Sequence, residues 1–314
     1  MSRRIEEIQV NRFFNHPALD LDTPIYRFVP WRWAKDLLVD GNLALVRPET
    51  WDDPYELVNR PIRVRVSDKH GKQADKVLDG HNFQVFSQSW TTRCMADTML
   101  RAYSRLTPKT QGDDTSHPAF TPELHATEAI QISTTIGKLA AAIDFGLQKN
   151  PAYEFLYMTK VDYMSEDALA DRVVSTYAHG PDTGKDPACV VSLLSVKRDA
   201  YEAESEVRPI VLLNDAAKGL PILKLKIHPP HFIDSISIDP RIGSHKVTES
   251  HMHDYNERYA LLEEWGFASK IEQSLLYSGA PVFDARLDLD APDCSLSELS
   301  KERWRAFLAH HQTT

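Results

Sequence analysis

The sequence is poor in several features that would place it in a well-marked class of protein. It has three cysteines in 314 residues, Cys94, Cys189 and Cys294. They lie too far apart for a Cys-x-x-Cys ligand pair, and an odd number argues against a framework of disulfide bonds. We therefore expect a protein of the reducing cytoplasm.

Long apolar runs are also absent. No apolar run approaches the roughly 18–20 residues that span a bilayer, and the first residues, MSRRIEEIQV, hold no apolar segment of signal-peptide length. The composition, 42% hydrophobic and 26% charged, is typical of a globular protein with a substantial core. We expect no contact with a membrane.

An excess of basic residues and glycine-rich phosphate loops are missing as well. The formal net charge is −9, so the chain offers no broad basic surface to the backbone of a nucleic-acid duplex. Neither Gly-x-Gly-x-x-Gly nor Gly-x-x-x-x-Gly-Lys-Ser/Thr occurs in it. The two commonest nucleotide-binding loops, the Rossmann and P-loop types, are thereby excluded.

Strand and helix patterns alternate irregularly along the chain, and strands follow each other directly in places. This order favours an α+β fold with a mixed, mainly antiparallel and possibly split sheet flanked by helices. We expect a polar lead-in at 1–22, a single domain at 23–290 and a C-terminal helix at 291–314. The stretch 105–127 holds three prolines and many small polar residues, which predicts a surface loop inserted in the domain.

The stretch YEAESEVRPIVLL carries the most distinctive charge pattern, with charged residues at alternate positions before an apolar run. If it is a strand, Glu204, Glu206 and Arg208 share one face because side chains alternate with a period of two. One interpretation is a salt-bridge ladder with Lys197 on an edge strand, which would stabilise the protein little. Arg27 lies in the apolar run PIYRFV, where an arginine needs a partner. That partner is either a carboxylate, Asp53 or Glu56, or a bound phosphate.

Four blocks taken in order resemble a known family. They are IYRFVPWRWAKDLLVDGNLALVRPETWDDPYE, FSQSW…MLRAYS, KRDAYEAESEVR and FIDSISIDPRIG, between residues 24 and 243. This order resembles the bacterial family catalogued as domain of unknown function 2971. The matching positions are Tyr26, Arg27, Asp53, Pro54, Tyr55, Glu56, Phe86, Ser87, Tyr103, Lys197, Glu204, Glu206 and Arg208. Leu100 and Tyr201 stand where the family usually has Trp, and Asp52 where it commonly has Asn.

The order of an early arginine, a middle serine and a late Glu-x-Glu is also similar to the ADP-ribosyltransferase superfamily. That resemblance implies an ADP-ribosyltransferase-like fold and NAD as substrate, with no metal. Arg27 would anchor NAD, Glu206 would be the catalytic carboxylate, and Glu204 would help the acceptor attack. A fixed carboxylate suits this chemistry, because breaking the nicotinamide–ribose bond builds positive charge on the sugar.

The remaining site residues follow from the same resemblance. Tyr26 and Tyr103 would stack on a ring of the ligand. The serine position is either Ser87 or Ser89 in FSQS, or Ser133 or Thr134 in QISTT. The residues expected to orient the site are Asp53, Glu56, Lys197 and Arg208. The acceptor, a protein or a nucleic acid, stays open, and analogy with bacterial conflict loci implies a toxin or defence effector.

Two alternatives come from other classes of function. The carboxylates of Asp53, Glu56, Glu204 and Glu206 would suit Mg²⁺ in a metal-dependent nuclease with Lys197 as its catalytic lysine. In a non-catalytic binding module the same charges would only tie loops to the sheet. A transferase needs NAD and no metal, a nuclease needs metal, and a binding module needs neither.

Overall fold

The structure is a computed structural model that describes residues 12–51, 53, 55–56, 62–67, 70–71, 73–78, 83–104, 128–177, 186–241, 249–272, 297, 301–302 and 305. The predicted loop at 105–127 and most of the predicted C-terminal helix lie outside the described residues. The chain divides into two compact units, Met1–Tyr277 and Ser278–Thr314. In the second unit residues 301, 302 and 305 are helical, and the elements below belong to the first.

The strands are β1 Phe13–Asn15, β2 Pro24–Pro30, β3 Asn42–Val46, β4 Ile62–Ser67, β5 Gln73–Leu78, β6 Gln84–Ser87, β7 Trp90–Thr91, β8 Ala129–Thr135, β9 Tyr153–Lys160, β10 Asp162–Met164, β11 Val196–Arg198, β12 Glu206–Leu213, β13 Ile222–Lys226 and β14 Ser235–Ile238. The helices are α1 Trp31–Leu38, α2 Asp97–Tyr103, α3 Ile136–Leu147, α4 Glu166–Tyr177, α5 Pro187–Leu194, α6 Pro229–Phe232 and α7 Glu249–Glu264. None of the described helices is both long enough and apolar enough to cross a membrane.

The main sheet of the described residues runs in the order β13-β3-β6-β12-β7-β2-β8-β14, and β9 joins it along the other edge of β12. Its pairings are antiparallel with one exception: β1, which belongs to the predicted lead-in at 1–22, runs parallel to β9. The pairs β10–β11 and β4–β5 form separate two-stranded sheets. The predicted α+β class with a mainly antiparallel sheet is thus confirmed.

Strand β12 is the centre of this sheet, and all eight of its residues are buried. Its alternate side chains enter two different cores. Val207, Val211 and Leu213 pack into the larger one, which includes the apolar faces of α1 and α3. Ile210 and Leu212 pack into a second core built with α4 and α5. Because both faces are covered, the strand carries a nearly continuous apolar run rather than an alternating one.

Strands β6 and β7 behave as one strand interrupted opposite Pro209. Ile210 pairs with Ser87 and Val207 pairs with Trp90, so the same antiparallel register runs through both segments. The carbonyl oxygen of Pro209 faces this side, where it accepts a 2.8 Å hydrogen bond from the Ser87 hydroxyl. A proline has no N–H to give the neighbouring strand. The run HNFQVFSQSW at 81–90 predicts a single strand, and in the structure this strand breaks at residues 88 and 89.

The sequence after Pro30 predicts a helix with Trp33, Ala34, Leu37 and Leu38 on its apolar face, and α1 forms there with one difference in that face. The helix buries Trp31, Ala34, Leu37 and Leu38. Trp31 stacks on Trp265 with ring centroids 5.5 Å apart. Trp33, which the sequence places on the apolar face, is 54% exposed. The prediction for Trp33 was wrong because Trp31 turns inward instead, where it contacts Trp265 just after the end of α7.

We expect Gly41→Ala to destabilise the protein more than Gly219→Ala. Both glycines have positive φ angles, +64° and +88°, so both substitutions carry backbone strain. Only at Gly41 would the added Cβ lie 2.7 Å from the Ile227 carbonyl oxygen; at Gly219 nothing lies within 4 Å. The extra loss in free energy of unfolding should be about 1–3 kcal/mol, measured by urea denaturation. Equal losses for the two variants would contradict the turn geometry.

Candidate functional site

The charged end of β12 lies in the interior of the sheet, between β7 on one side and β9 on the other. Arg208 is fully buried, and Glu206 is 2% exposed. Arg208 donates from Nε to Glu206 Oε1 and from Nη2 to Glu206 Oε2, both at 2.8 Å. The prediction that these two side chains share a face is confirmed. The interpretation as a ladder on an edge strand was wrong, since β12 is central.

Three further charged residues complete the group. Arg208 Nη2 also donates to Glu56 Oε1 at 2.6 Å. Lys197 Nζ lies 3.2 Å from Glu56 Oε1, 2.8 Å from Glu204 Oε2 and 3.5 Å from Glu206 Oε2. We call these five residues, Glu56, Lys197, Glu204, Glu206 and Arg208, the carboxylate cluster. Three carboxylates surround two cations, so each buried charge has an opposite charge in contact.

Glu204 reaches the cluster by a route that the sequence pattern does not predict. It ends a 3₁₀ helix, Asp199–Glu204, rather than lying on the strand. Ser205 follows with φ +44°, a left-handed conformation that breaks the strand alternation before β12 begins. The prediction that Glu204 lies on the same strand face as Glu206 was therefore wrong. Lys197, not strand geometry, brings their carboxylates together.

Glu206 and Lys197 keep their charges at neutral pH. Burial opposes the ionisation of Glu206, but the charges of Arg208 and Lys197 and hydrogen bonds from Arg208 and Ser89 outweigh it and lower its pKa. Burial likewise opposes the charged form of Lys197, and the carboxylates of Glu206, Glu56 and Glu204 outweigh it and raise its pKa. Glu206 is thus a carboxylate and Lys197 an ammonium.

Arg27 lies beside the cluster and outside its ion pairs. Its Nη1 donates to the Ser89 carbonyl oxygen at 3.1 Å. Burial lowers its pKa to about 10, against the raising effect of Tyr103 and Glu206, so it stays a cation at neutral pH. The predicted pairing with Asp53 or Glu56 was wrong.

Asp53 and Glu56 form ion pairs with other arginines. Asp53 pairs with Arg198 at 3.1 Å, and Glu56 pairs with Arg208. Within the described part of the chain Arg27 forms no ion pair.

Tyr103 connects α2 to the cluster. Its hydroxyl donates to Glu204 Oε1 at 3.3 Å, and its ring stacks on Phe28 with centroids 6.1 Å apart. Burial raises the pKa of its hydroxyl, and the charge of Glu204 adds to the effect, so the phenol remains a donor. Tyr26, the second predicted stacking residue, pairs with Thr91 of β7, which pairs in turn with Glu206.

The three candidate serines differ in their burial and in their hydrogen-bond partners. Ser87 is buried and donates to the Pro209 carbonyl oxygen, and Ser133 is buried against Ser235, with the two Oγ atoms 2.7 Å apart. Both tie strands of the sheet together. Ser89 is exposed, holds Arg27 through its carbonyl oxygen and contributes a hydrogen bond to Glu206. Of the three, Ser89 is the one in contact with the cluster.

Several residues contact the carboxylate cluster in a way that the sequence did not predict. Trp51 lies over the Arg208 guanidinium at 4.5 Å and Tyr201 lies 4.6 Å from the Lys197 ammonium. The Tyr163 hydroxyl accepts a 2.8 Å hydrogen bond from the backbone N–H of Glu206. Tyr201 carries a sequence signal, since it stands where the similar family usually has an aromatic residue. Trp51 and Tyr163 carry none, because they reach the cluster through the fold.

The metal-centred alternative finds little support in this geometry. The carboxylates of Glu56, Glu204 and Glu206 are already paired with the cations of Lys197 and Arg208. Among the residues described, no group of three or more His, Cys, Asp and Glu side chains is arranged to hold a metal ion.

Comparisons with known proteins add little to this geometry. No family model matches the chain, so membership in the domain of unknown function 2971 family is not confirmed, and no curated protein matches it. One similar solved structure is DarT of Thermus sp. 2.9 in complex with ADP-ribosylated ssDNA, with 10% identity, coverage of 81% of this chain and 94% of that one, and a TM-score of 0.29. DarT in complex with NAD+ shows 12% identity, coverage of 82% and 96%, and a TM-score of 0.26. Similarity this weak does not establish a shared fold or activity.

Arg208→Met should lower the free energy of unfolding by about 3–5 kcal/mol, because Glu206 and Glu56 would remain buried without their main counter-charge. The matched control is Arg101→Met. Arg101 is exposed and, among the described residues, pairs along its own helix with Asp97 at 2.8 Å, so its loss should cost far less stability than the loss of Arg208. Urea denaturation of both variants measures the difference. Similar small losses would show that the buried pair does not stabilise the fold.

The stability of the protein should also depend on pH through Glu206. Its pKa in the folded chain lies below its unfolded value. Its ionisation therefore stabilises the fold above about pH 4.3, the ordinary glutamate value, and this contribution is lost as the pH falls through the folded pKa. The gap in unfolding free energy between wild type and Glu206→Gln should shrink on acidification. Glu263→Gln, at an exposed helical position, is the matched control for the loss of one carboxylate; a constant gap for Glu206→Gln would contradict the assignment.

Proposed function

We propose that the protein binds NAD beside the carboxylate cluster and breaks its nicotinamide–ribose bond, passing ADP-ribose to an acceptor. The observation that carries the proposal is the position of Arg27. It is a cation that forms no ion pair within the described residues and lies in the field of an ionised carboxylate. A guanidinium placed this way is suited to grip the diphosphate of a dinucleotide.

The two glutamates differ in their access to a ligand. Glu206 has both oxygens bound to Arg208 and is 2% exposed. The side chain of Glu204 is 17% exposed, and Tyr103 and Lys197 hold its carboxylate. We infer that Glu204 faces the ribose and that Glu206 fixes the two cations behind it. The sequence prediction instead makes Glu206 the catalytic carboxylate and has Glu204 help the acceptor attack, and the experiment below separates the two assignments.

The chemistry asked of the site is electrostatic. A carboxylate fixed in place before the reaction stabilises positive charge that develops on the ribose, with no reorganisation at the moment of bond breaking. Lys197 and Tyr103 keep Glu204 oriented from two sides. The ring of Tyr103 is 43% exposed beside Phe28, which leaves it able to contact the nicotinamide or adenine ring. The acceptor is inferred to be a protein or a nucleic acid, met in the bacterial cytoplasm as a toxin or defence effector would meet it.

A second candidate, a non-catalytic binding module, has one observation in its favour. Every charge of the carboxylate cluster already has a partner inside the protein, as in a structural ion-pair network. In that case the cluster only locks β12 to the segments that hold Glu56 and Lys197. The two candidates differ in whether NAD is bound and turned over.

The test is release of nicotinamide from NAD by the purified protein in the presence of a chelator. The wild type should release it. Glu204→Gln should lower the rate about 100-fold or more. Arg27→Gln should raise KM for NAD about tenfold, because a charge-assisted contact to phosphate is lost.

Controls separate chemistry from folding. Lys218→Gln removes an exposed positive charge outside the site and should leave the rate unchanged. Glu206→Gln should lower the free energy of unfolding, while the turnover of the molecules that remain folded should change little. Should Glu206→Gln stay folded and lose turnover while Glu204→Gln keeps it, the original role assignment holds. A folded wild type that neither binds nor cleaves NAD would favour the binding module.

A further inference from the structure

The fourth sequence block, FIDSISIDPRIG, contributes no residue to the carboxylate cluster, although it carries part of the family resemblance. It holds β14 and, directly after that strand, a turn in which Asp239 and Arg241 flank Pro240. Asp239 is fully buried, and the side chain of Arg241 is 17% exposed. Charges buried to this degree need partners, and the partners of this pair include the end of helix α2.

Asp239 and Arg241 form a closed ion pair. Asp239 Oδ1 accepts hydrogen bonds from the backbone N–H of Arg241 at 2.9 Å and from its Nε at 3.0 Å, and Oδ2 accepts one from Nη2 at 2.7 Å. The backbone bond spans two residues, as in an Asx turn, and Pro240 presets the backbone between them. The turn therefore fixes the orientation of the guanidinium.

The same guanidinium holds the last turn of α2. Arg241 Nη2 donates to the carbonyl oxygens of Leu100 at 3.1 Å and of Ser104 at 2.5 Å; arginine side chains commonly bind the last carbonyls of a helix. The Ser104 hydroxyl donates to Asp239 Oδ2 at 2.5 Å and accepts from the backbone N–H of Ala129 at 3.0 Å. We call Ser104, Asp239 and Arg241 the α2 anchor.

Tyr103 lies between the two carbonyl groups that the anchor holds. It is 43% exposed, so burial alone does not fix its side chain. Its hydroxyl nevertheless donates to Glu204 Oε1 at 3.3 Å, and its ring stacks on Phe28. Because the anchor binds the backbone at Leu100 and at Ser104, it fixes the point from which the Tyr103 side chain reaches Glu204.

We propose that Asp239 and Arg241 are positioning residues that hold the Tyr103 hydroxyl against Glu204. They act through the last turn of α2 and, in the described part of the chain, form no hydrogen bond or ion pair with the carboxylate cluster. Their effect on turnover rests on the proposed function, in which Glu204 faces the ribose. The coupling between the anchor and the hydrogen bond from Tyr103 to Glu204 does not depend on NAD.

A double-mutant cycle measured by urea denaturation tests this coupling without NAD. Tyr103→Phe should lower the folding equilibrium constant about threefold to tenfold, the loss of one hydrogen bond to a charged group. In Arg241→Lys the single ammonium cannot bridge the carboxylate and both carbonyl oxygens, so Tyr103→Phe should have almost no further effect. The matched control is Arg258→Lys. Arg258 belongs to a second buried pair, with Glu128 at 2.9 Å, and in its background the full loss should remain.

Release of nicotinamide from NAD by the same variants tests the consequence for the reaction. Arg241→Lys and Tyr103→Phe should each lower kcat about tenfold, and the double variant should be no slower than the slower single variant, because both changes remove one constraint on Glu204. KM for NAD should change little, in contrast to Arg27→Gln. Arg258→Lys should leave kcat per folded molecule unchanged.

Additive losses in the unfolding cycle would overturn the proposal. An unchanged kcat per folded molecule in Arg241→Lys, beside a slower Tyr103→Phe, would overturn it as well and leave the anchor a purely structural role. If Arg241→Lys does not fold, Ser104→Ala, which removes one hydroxyl from the anchor, replaces it in both cycles. A wild type that cleaves no NAD would contradict the proposed function, and the unfolding cycle would still decide whether the anchor positions Tyr103.

Discussion

The buried guanidinium of Arg208 is the constraint on which this fold is organised. Removing such a charge from water costs far more than a single ion pair returns, unless geometry and hydrogen bonding are nearly complete. Here Glu206, Glu56 and the Leu194 carbonyl oxygen take its donors, and Trp51 covers its face. The partners come from separate segments of the chain, so satisfying one side chain fixes the relative positions of several loops and strands.

That constraint also explains why structural and functional interpretations of the same residues are hard to separate. Glu206 neutralises Arg208 inside the sheet, and because both of its oxygens accept hydrogen bonds from that guanidinium it is closed to solvent. Lys197 carries the network outward to Glu204, the carboxylate of the cluster with more access to solvent. A rigid, charged interior with one accessible carboxylate is useful to an enzyme, because that carboxylate needs no reorganisation when positive charge develops nearby. The same rigidity would serve a binding module equally well. The two proposed functions therefore differ in the ligand that Arg27 binds.

Local pattern predicted those parts of the structure that local geometry controls. The shared face of Glu206 and Arg208 followed from strand alternation, and the fold class followed from the order of elements. The partners of Arg208 did not follow, since Glu56 is 152 residues away and no pattern in one sequence connects the two. Glu204 was misplaced because a serine in the left-handed region gives no sequence signal comparable to glycine. Trp33 was misplaced because either tryptophan of WRW satisfies helical periodicity, and only the contact with Trp265 distinguishes them.

Pro209 marks the point at which the ladder between β12 and its neighbour is interrupted, since a proline has no N–H to give to the next strand. In the shared register Pro209 lies opposite residue 88, and Ser89 lies opposite Arg208. Alternate residues of an antiparallel pair direct their N–H and C=O groups to the partner strand, so the missing donor concerns residue 88 and not Ser89. The Ser89 carbonyl oxygen accepts a hydrogen bond from Arg27 Nη1. The gap in the ladder therefore places a backbone acceptor beside the site, and the sheet itself holds the side chain of Arg27.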